Sequence, residues 1–426
     1  MAIEVKSAPF EICVVGGGLI GLVAALQLAQ SRQGQNSKIA LVAPMGDSAD
    51  KRTTAMLMPS IEMLRGLDLW QAIEPKTAAL KTMRLIDGSR RLVRAPVTDF
   101  QSSELGLDAF GFNVPNEDML DALNSAIDDH EGIVRFSEPA NIITANAENV
   151  QIELKSGETL QCKLVVAADG SESSCRAAAG IDVRQWSYPQ TAIVLNFTHS
   201  LPHGGVSAEF HTETGPFTQV PLPSTKSSQN RSSLVWLVEP QRANELLQMN
   251  LGDLSDLIED KLQSCYGKCF IERQPAAIPM KGMTAHRFAA NRIALVGEAG
   301  HVFPPIGAQG FNLGLRDIRS LTVALALNPE DPGAAEGLSS YNGDRRRDVN
   351  SRTIGVDLMN RSLLTDFLPV QLVRTAGLSA LGSVSLLRKI AMLQGLGMER
   401  HVGGLFTAPG KDLLAKFRSQ SGTEAR

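Results

Sequence analysis

Residues 10–30, FEICVVGGGLIGLVAALQLAQ, are the most informative segment about the fold of this chain. Its first part, Phe10 to Val15, is a short apolar run of the kind that forms a buried strand. Leu19 to Gln30 then has helical character, and a second apolar run over Lys38 to Ala43 predicts another strand. Strand, helix and strand in this order predict a βαβ unit that begins almost at residue 10.

Three glycines in this unit point to a bound dinucleotide. Gly16, Gly18 and Gly21 fit the pattern G-x-G-x-x-G between the strand and the helix. In such a turn the first glycine permits a sharp bend, the second lets a pyrophosphate approach the backbone, and the third lets the helix pack closely on the strand. Free amides at the start of the helix favour the pyrophosphate charge. We therefore expect all three glycines to bind a dinucleotide cofactor.

The acidic residue that usually holds the adenosine ribose is absent. It is expected about 20 residues beyond the glycines, but the second strand ends in Ala43 and Pro44. Asp47 or Asp50 can reach over to the same place, or Arg52 can supply a different contact. Arg52 is therefore one of the residues predicted to bind the cofactor.

Composition indicates a globular protein and argues against nucleic acid as a partner. The 426 residues are 43% hydrophobic and 20% charged, with a net charge of −4 and no large basic block. Two domains, or one large fold with an inserted sheet, are expected at this length. The five cysteines are scattered, with Cys265 and Cys269 as the only close pair. We therefore expect free thiols in a reducing compartment and no metal site.

The apolar N-terminal stretch has a second interpretation. Ile12 to Ala29 is eighteen residues without a charge, and its length alone would suit a membrane span or a secretory core. The four glycines within it favour a buried strand, a glycine turn and a buried helix instead. The expected location is the cytoplasm, with peripheral contact to the inner membrane as a further hypothesis.

Two more blocks follow predicted buried strands. Asp169-Gly170-Ser171-Glu172-Ser173-Ser174-Cys175-Arg176 closes the apolar run Leu164 to Ala168, where ligand-facing loops lie in an open α/β sheet. In isolation a simple Asp-Gly turn is the plainer explanation of this block. The other block begins with a strand over Arg292 to Val296 and continues from Gly297 to Asp317.

Several residues of that last block suit a flavin. The carboxylate of Glu298 can accept a hydrogen bond from a ribitol hydroxyl, and Gly307 and Gly310 free the backbone for close approach to a flat ring. Amides at the start of the helix predicted from about Phe311 would stabilise negative charge on a reduced flavin. A histidine beside a turn, such as His301, is more often structural than chemical.

The rest of the chain alternates between helical and strand patterns. The remaining predicted elements are helices over Thr53 to Trp70, Met119 to Ile127 with Asn116 as its cap, and Leu251 to Cys265, strands over Asn141 to Leu154 and Thr159 to Ala167, and an antiparallel sheet within Trp186 to Pro240.

Together the three blocks resemble the FAD-dependent aromatic hydroxylases of the para-hydroxybenzoate hydroxylase type, and among them the ubiquinone-biosynthesis hydroxylases. The family patterns G-x-G-x-x-G, D-G-x-x-S-x-x-R and G-D-A-A-H followed by a P-x-x-G-Q-G-x-N-like run occur here in order. Glu298 replaces the usual Asp, Gly300 a common Ala, and Ala43 the usual acidic residue. Further likenesses, within about residues 10 to 400, are Asp50 to Ala55, Asn113 to Asn116, Trp186, Tyr188, Gln190, Gly215-Pro216, Pro221 to Pro223, Tyr341, Arg345 and Asp348.

The resemblance implies an FAD enzyme that hydroxylates the aromatic ring of a polyprenylated phenol in ubiquinone biosynthesis. NAD(P)H or another donor would reduce the FAD, and O2 would form a C4a-hydroperoxyflavin that transfers one oxygen to the ring. Implied partners are a hydrophobic aromatic substrate, a membrane surface and other quinone-biosynthesis enzymes. No catalytic base is assigned, because the phenol oxygen activates its own ring. The residues expected to bind the cofactor are Gly16, Gly18, Gly21, Arg52, Asp169, Gly170, Glu298, Pro305, Gly307, Gly310 and Asn312.

The predicted fold is α/β, with a Rossmann-like FAD-binding domain, an inserted mixed or antiparallel β-sheet substrate domain and C-terminal helices. The apolar segment Leu358 to Met398 is interrupted by charges, and its uncharged runs are too short to span a bilayer. It predicts a pair of packed helices or, alternatively, a face that touches a membrane or a lipid substrate. The expected parts are FAD-binding over 1–80, 113–180 and 281–355, substrate-binding over 81–112 and 181–280, and C-terminal helical over 356–426.

Related activities remain open at this point. They are a flavin monooxygenase for a soluble aromatic substrate, a prenyl-lipid reductase, a halogenase, and a non-catalytic binding protein like the escort proteins of prenylated GTPases. Trp70, Trp186 and Trp236 lie too far apart for the tryptophan motif of halogenases. The intact block from Glu298 to Asp317 argues against a binding protein that kept the dinucleotide fold and lost catalysis.

Overall fold

The fold is seen in a computed structural model, which describes residues 10–32, 38–44, 50, 52–88, 96–304, 309–364 and 384–396, without the side chains of 356–364. The helices are α1 (Leu19–Ser31), α2 (Met58–Gly66), α3 (Trp70–Ile73), α4 (Asn116–Asp128), α5 (Ser174–Ala178), α6 (Pro240–Gln248), α7 (Leu251–Lys261), α8 (Gln309–Leu325), α9 (Ala335–Leu364) and α10 (Ser385–Gly395). The strands are β1 (Phe10–Val15), β2 (Ile39–Val42), β3 (Thr53–Leu57), β4 (Ala78–Leu80), β5 (Thr82–Asp87), β6 (Thr98–Gln101), β7 (Gly111–Pro115), β8 (Ile133–Phe136), β9 (Ala140–Ala145), β10 (Val150–Leu154), β11 (Thr159–Ala167), β12 (Val183–His199), β13 (Val206–Thr212), β14 (Gly215–Leu222), β15 (Arg231–Val238), β16 (Cys269–Ile271), β17 (Ala276–Ala285), β18 (Ala289–Ala290), β19 (Ile293–Leu295) and β20 (His301–Val302).

The first sheet carries the predicted βαβ unit at its centre. Its strands run in the order β18-β19-β11-β1-β2-β8, with β10 and β9 attached beside β11. Strand β1 pairs in parallel with both β2 and β11, and β11 pairs in parallel with β19. Because parallel strands end at the same edge of a sheet, the loops after β1, β11 and β19 meet there.

Burial on both faces explains the continuous apolar runs of these strands. Ile12 and Val14 of β1 pack against α1, α4 and α8 on one face of the sheet. Cys13 and Val15 point to the opposite face, which β9, β10 and α5 cover. A strand covered on both sides has no polar face, so its sequence shows no alternation.

The second sheet is larger and mostly antiparallel. Its order is β20-β17-β12-β15-β14-β13-β5-β6, with β16 beside β12, and only β13 and β5 pair in parallel. Helices α6 and α7 pack on one face of this sheet through an apolar cluster that includes Leu246, Leu254 and Trp236. The predicted α/β fold with an inserted mixed sheet is confirmed. Strands β7 and β17 cross two of the expected domain boundaries, so we keep that division as a proposal.

The helix expected over Thr53 to Trp70 is wrong in its first part. Thr53–Leu57 forms strand β3, which pairs with β7 in a small third sheet completed by β4. The helix begins only at Met58, with Pro59 in its first turn, where a proline needs no hydrogen-bond partner. The apolar spacing of Thr53 to Leu57 suits a helix and a strand equally well, and pairing with β7 selects the strand.

Two smaller expectations are also corrected. Asn116 is not the cap of α4 but its first residue, following Pro115. The strand expected over Asn141 to Leu154 is two strands, because the side chain of Asn146 accepts hydrogen bonds from the amides of Glu148 and Asn149 and closes a turn.

The C-terminal region is described only in part. Met392 of α10 and Leu396, which follows the helix, are buried in one cluster with Leu57 and Phe110. Residues 365–383 and 397–426 lie outside the described residues. Among the helices that the structure describes, none is both long enough and apolar enough to cross a membrane.

Candidate functional site

The site lies at the edge of the first sheet where three strands end. The amide of Gly16 donates to the carbonyl of Val42 at 2.9 Å, and the amide of Ala168 donates to the carbonyl of Val15 at 2.8 Å. The amide of Val296 donates in turn to Ala167 at 2.9 Å. These bonds continue the sheet up to its edge, so the loops of all three predicted blocks leave it side by side.

The three predicted glycines of the first loop have different surroundings. A Cβ at Gly16, where φ is +124°, would lie 2.2 Å from the carbonyl oxygen of Ala168, and a Cβ at Gly21 would lie 2.0 Å from the carbonyl oxygen of Gly16. Strand and helix can pack this closely only with glycine at both positions. A Cβ at Gly18 would meet no heavy atom within 4 Å. Gly18 therefore borders open space, which fits the approach of a pyrophosphate.

The start of α1 is arranged to face negative charge. Gly18 is the N-terminal cap residue of α1, and no side chain caps the helix there. No acidic residue lies in the first turn. The unpaired amides and the positive end of the helix dipole can therefore act on a ligand anion.

Ile20 connects this helix start to the third block. A Cβ at Gly314 would lie 2.5 Å from Cδ1 of Ile20, and a Cβ at Gly297 would lie 3.1 Å from its Cγ2. The side chain of Ile20 therefore occupies room that two distant glycines leave for it. No role was predicted for Ile20, because this packing is formed by residues almost 300 positions apart.

The Asp169 block braces the neighbouring loop. The carboxylate of Asp169 accepts hydrogen bonds from two serine hydroxyls and from the amide of Cys175 at 3.1 Å, which fixes the start of α5. Arg176 is buried and donates from Nη1 to the carbonyl of Ala299 at 3.0 Å. Gly170 has φ +81°, and a Cβ there would meet no heavy atom within 4 Å. The block thus orders the loop that carries the predicted flavin-binding glutamate.

That glutamate, Glu298, is exposed while Gly297 and Ala299 on either side are buried. The bidentate hydrogen bond to Asp50 raises the pKa of Arg52, and the negative charge of Glu298 adds a smaller increase. The structure therefore brings Glu298 and Arg52, two predicted site residues, within electrostatic reach of each other. A carboxylate presented to solvent by a buried loop fits a hydroxyl-bearing ligand.

The carboxylate of Asp50 is already bound to protein groups. It accepts from Nε and Nη2 of Arg52 and from Nδ2 of Asn116, each at 2.8 Å. Burial alone would raise the pKa of Asp50, but these hydrogen bonds outweigh it and lower the pKa. Ala43 is almost fully buried, and Asp47 lies outside the described residues. The ribose contact therefore has no replacement carboxylate among the residues that the structure describes near β2.

A buried carboxylate ties the third block together. Asp317 is fully buried and accepts from the amide of Gly297 at 2.8 Å, from Nε2 of His301 at 2.7 Å and from Nε of Arg345 at 2.7 Å. His301 is thereby engaged by the protein, as a structural histidine would be. Asp317 and Arg345 both belong to the stretches that carry the family resemblance, but nothing in a linear pattern shows that they meet.

The network continues along α9. Asp348 accepts hydrogen bonds from Arg345, Arg316 and Arg352. Burial alone would raise the pKa of Asp348, but the nearby guanidinium groups outweigh it and lower the pKa. Burial would likewise lower the pKa of Arg345, and the charge of Asp317 more than offsets this. Helices α8 and α9 are thus held to the Glu298 loop by charges.

The remaining predicted residues lie at the start of α8. The side chain of Asn312 accepts from the amide of Leu57 and the hydroxyl of Ser60, and donates to the carbonyl of Ala55 at 2.9 Å. This amide joins α8 to β3 and α2, so Asn312 positions the helix. A Cβ at Gly310 would meet no heavy atom within 4 Å. Pro305 and Gly307 lie outside the described residues.

Comparison with known proteins gives this site its context. Residues 9–354 match the family described as FAD binding domain. The chain is 29% identical over 409 residues to 3-demethoxyubiquinol 3-hydroxylase of Escherichia coli, across 92% of this chain and 99% of that protein. It is 28% identical over 398 residues to a ubiquinone hydroxylase of Rhodospirillum rubrum, across 91% of this chain and 89% of that protein.

Among solved structures, the p-nitrophenol 4-monooxygenase of Pseudomonas putida superposes with a TM-score of 0.73 and 16% sequence identity. The match covers 91% of this chain and 98% of that one. At this identity the likeness is one of fold.

Proposed function

This chain belongs to the FAD binding domain family, and on that premise we propose that it hydroxylates the aromatic ring of a polyprenylated phenol in ubiquinone biosynthesis. The observation that supports FAD as the cofactor is the arrangement at the sheet edge, where open space at Gly18 lies beside an uncapped helix start. Glu298 offers an exposed carboxylate from the neighbouring loop. The substrate class follows the ubiquinone hydroxylases to which the chain is similar over nine tenths of its length.

In the proposed complex this chain's own residues bind and orient the cofactor. The amides of α1 face the pyrophosphate, Glu298 accepts from a ribitol hydroxyl, and Asp317 keeps the loop of Glu298 in place. When bound, FAD supplies the oxygen activation, with NAD(P)H or another reductant and O2 as co-substrates. The chain's further task is to hold the phenol near the flavin and to exclude water from it.

Glu298→Ala should weaken FAD binding by roughly tenfold or more, because a hydrogen bond to a charged group contributes about 1.5–3 kcal/mol. Glu298→Asp should retain most of the affinity, since it keeps the acceptor. The affinity is measured by quenching of FAD fluorescence as the apoprotein is titrated. Glu131→Ala, at another exposed position, serves as the control, and equal affinities for all four proteins would contradict the assignment of Glu298.

The substrate is tested by mass spectrometry of the quinone pool from a strain that lacks this gene. We expect ubiquinone to fall and a prenylated phenol lacking one hydroxyl to accumulate, which would also identify the ring position. The wild-type gene should restore the pool, and the gene with a cofactor-site substitution should not. A normal pool, once a redundant enzyme is excluded, would rule out the ubiquinone assignment and direct the search to a soluble aromatic substrate.

A reductase or halogenase is distinguished on the purified protein. A hydroxylase consumes O2 in step with NAD(P)H when the phenol is present, and its product gains one oxygen atom. A reductase turns over under nitrogen, whereas a halogenase depends on added halide.

A further inference from the structure

A cationic cleft lies between the second sheet and α9, and none of the residues predicted to bind FAD lines it. Its volume is about 220 Å³. The side chains that the argument uses are those of Arg184, Trp186, Thr284, His286, Arg346 and Asn350.

The sheet side of the cleft is formed by neighbouring strands. Arg184 of β12 lies opposite Thr284 of β17, and Trp186, two residues further along β12, points to the same face. The ring of Trp186 lies against Gly282, where a Cβ would be 2.2 Å from it. The guanidinium carbon of Arg184 is 5.7 Å from the centre of that ring. A cation–π contact therefore holds Arg184 in place at the cleft.

The helix side presents one face of α9. Arg346 and Asn350 are four residues apart, so they lie on the same face of the helix. The nearby carboxylate of Asp348 is taken by other arginines of its network, and Asp344 binds the hydroxyl of Ser320. Arg346 is exposed and lines the cleft, and it forms no ion pair with Asp348 or Asp344.

Two guanidinium groups and one hydroxyl of the cleft have no complementary partner among the described residues, whereas Nε1 of Trp186 donates to the hydroxyl of Tyr188. Neither Arg184 nor Arg346 has an ion-pair partner in the part of the chain that the structure describes, and no described carboxylate lines the cleft. The hydroxyl of Thr284 is buried and makes no hydrogen bond. His301 of β20 lies opposite Thr284, and its Nδ1 atom is also buried without a hydrogen-bond partner. His301 is only 2% exposed. A buried hydroxyl that lacks a partner costs free energy, and a ligand that accepts from it would remove that cost.

We propose that this cleft binds the phosphate group of a ligand. Two guanidinium groups on opposite walls can each donate two parallel hydrogen bonds to phosphate oxygens, and Thr284, His286 and Asn350 supply further donors. A volume near 220 Å³ is below the range of about 300–1,000 Å³ typical of whole-ligand pockets, so it suits a phosphate group and not a complete dinucleotide. The site is independent of the proposed hydroxylase activity. Its phosphate comes either from a soluble compound or from a lipid headgroup.

Binding to the FAD-loaded protein separates these two sources. One arm titrates inorganic pyrophosphate by calorimetry, and the other measures sedimentation with vesicles of phosphatidylglycerol or phosphatidylcholine. We expect saturable binding of pyrophosphate, or of the anionic vesicles alone, and a dissociation constant raised about tenfold by Arg184→Ala or by Arg346→Ala. Arg347→Ala is the matched control, because Arg347 is the next residue of α9, is 82% exposed and does not line the cleft.

Thr284→Val distinguishes a ligand contact from a structural one. The hydroxyl of Thr284 has no protein partner, so its removal should leave the melting temperature unchanged or higher while it weakens phosphate binding. If neither probe binds saturably, the proposal is wrong. It is also wrong if Arg347→Ala weakens binding as much as Arg346→Ala does, since general surface charge would then account for the attraction.

Discussion

Gly18→Val should lower the affinity of the protein for FAD about fivefold to more than a hundredfold, while the apoprotein keeps its melting temperature. A Cβ at Gly18 would meet no heavy atom within 4 Å, so we expect the fold to accept a side chain there. The methyl groups would stand in the space proposed for the pyrophosphate, and overpacking of this kind costs roughly 1–3 kcal/mol. Fluorescence titration of the apoprotein with FAD measures the affinity, and calorimetry measures the melting temperature.

Gly66→Val is the matched control for this change. Gly66 is exposed at the end of α2, and a Cβ there also meets nothing within 4 Å. We expect FAD affinity near that of the wild type. Gly21→Val, by contrast, should prevent normal folding, since a Cβ would lie 2.0 Å from the carbonyl oxygen of Gly16. Unchanged FAD affinity in Gly18→Val would mean that the pyrophosphate binds elsewhere.

Asp317→Asn should destabilise the protein by about 3–5 kcal/mol, because it leaves Arg345 as a buried charge without its main partner. The amide side chain keeps the size of the carboxylate but cannot satisfy three donors, so the hydrogen bond from Gly297 is also weakened. The loop of Glu298 then loses its anchor. We expect a lower melting temperature in both apo and FAD-bound forms, and faster release of FAD.

Asp344→Asn tests whether any loss of charge near α9 has this effect. Asp344 is 60% exposed and lies 3.9 Å from Arg347. Substitution at such a surface position is expected to change the free energy of unfolding by no more than about 0.5 kcal/mol. If Asp317→Asn melts at the same temperature as Asp344→Asn, the buried network does not stabilise the site in the way described.

The cofactor-facing segments were predictable because each combines two local signals. The run Ile12 to Val15 is apolar throughout and is followed at once by glycines, which together identify a buried strand entering a tight turn. The same holds for the strands before Asp169 and Glu298. By contrast, Thr53 to Leu57 carried only an apolar spacing that suits a helix as well as a strand. Its partner β7 lies more than 50 residues away, so no local signal could decide.

The positions of side chains within the site were less accessible to sequence reasoning. Asn312 was predicted to bind the cofactor, yet its amide is hydrogen-bonded to three protein groups in β3 and α2. Asp50 was a candidate for the ribose and is held by Arg52 and Asn116. Both side chains have at least one hydrogen-bonding partner that is distant in sequence. A motif specifies residue types but not the groups to which they hydrogen-bond.

The order of strands and turns at the proposed cofactor site, and the family to which the chain belongs, follow from local sequence, because turns and buried strands depend on neighbouring residues. Three features appear only in the folded chain: Ile20 packs into the space left by Gly297 and Gly314, Asp317 joins the Glu298 loop to α9, and Arg184 and Arg346 line the same cleft. These contacts form between segments that are far apart in the chain. Their energies depend on distance and burial in the folded state, which local sequence does not encode.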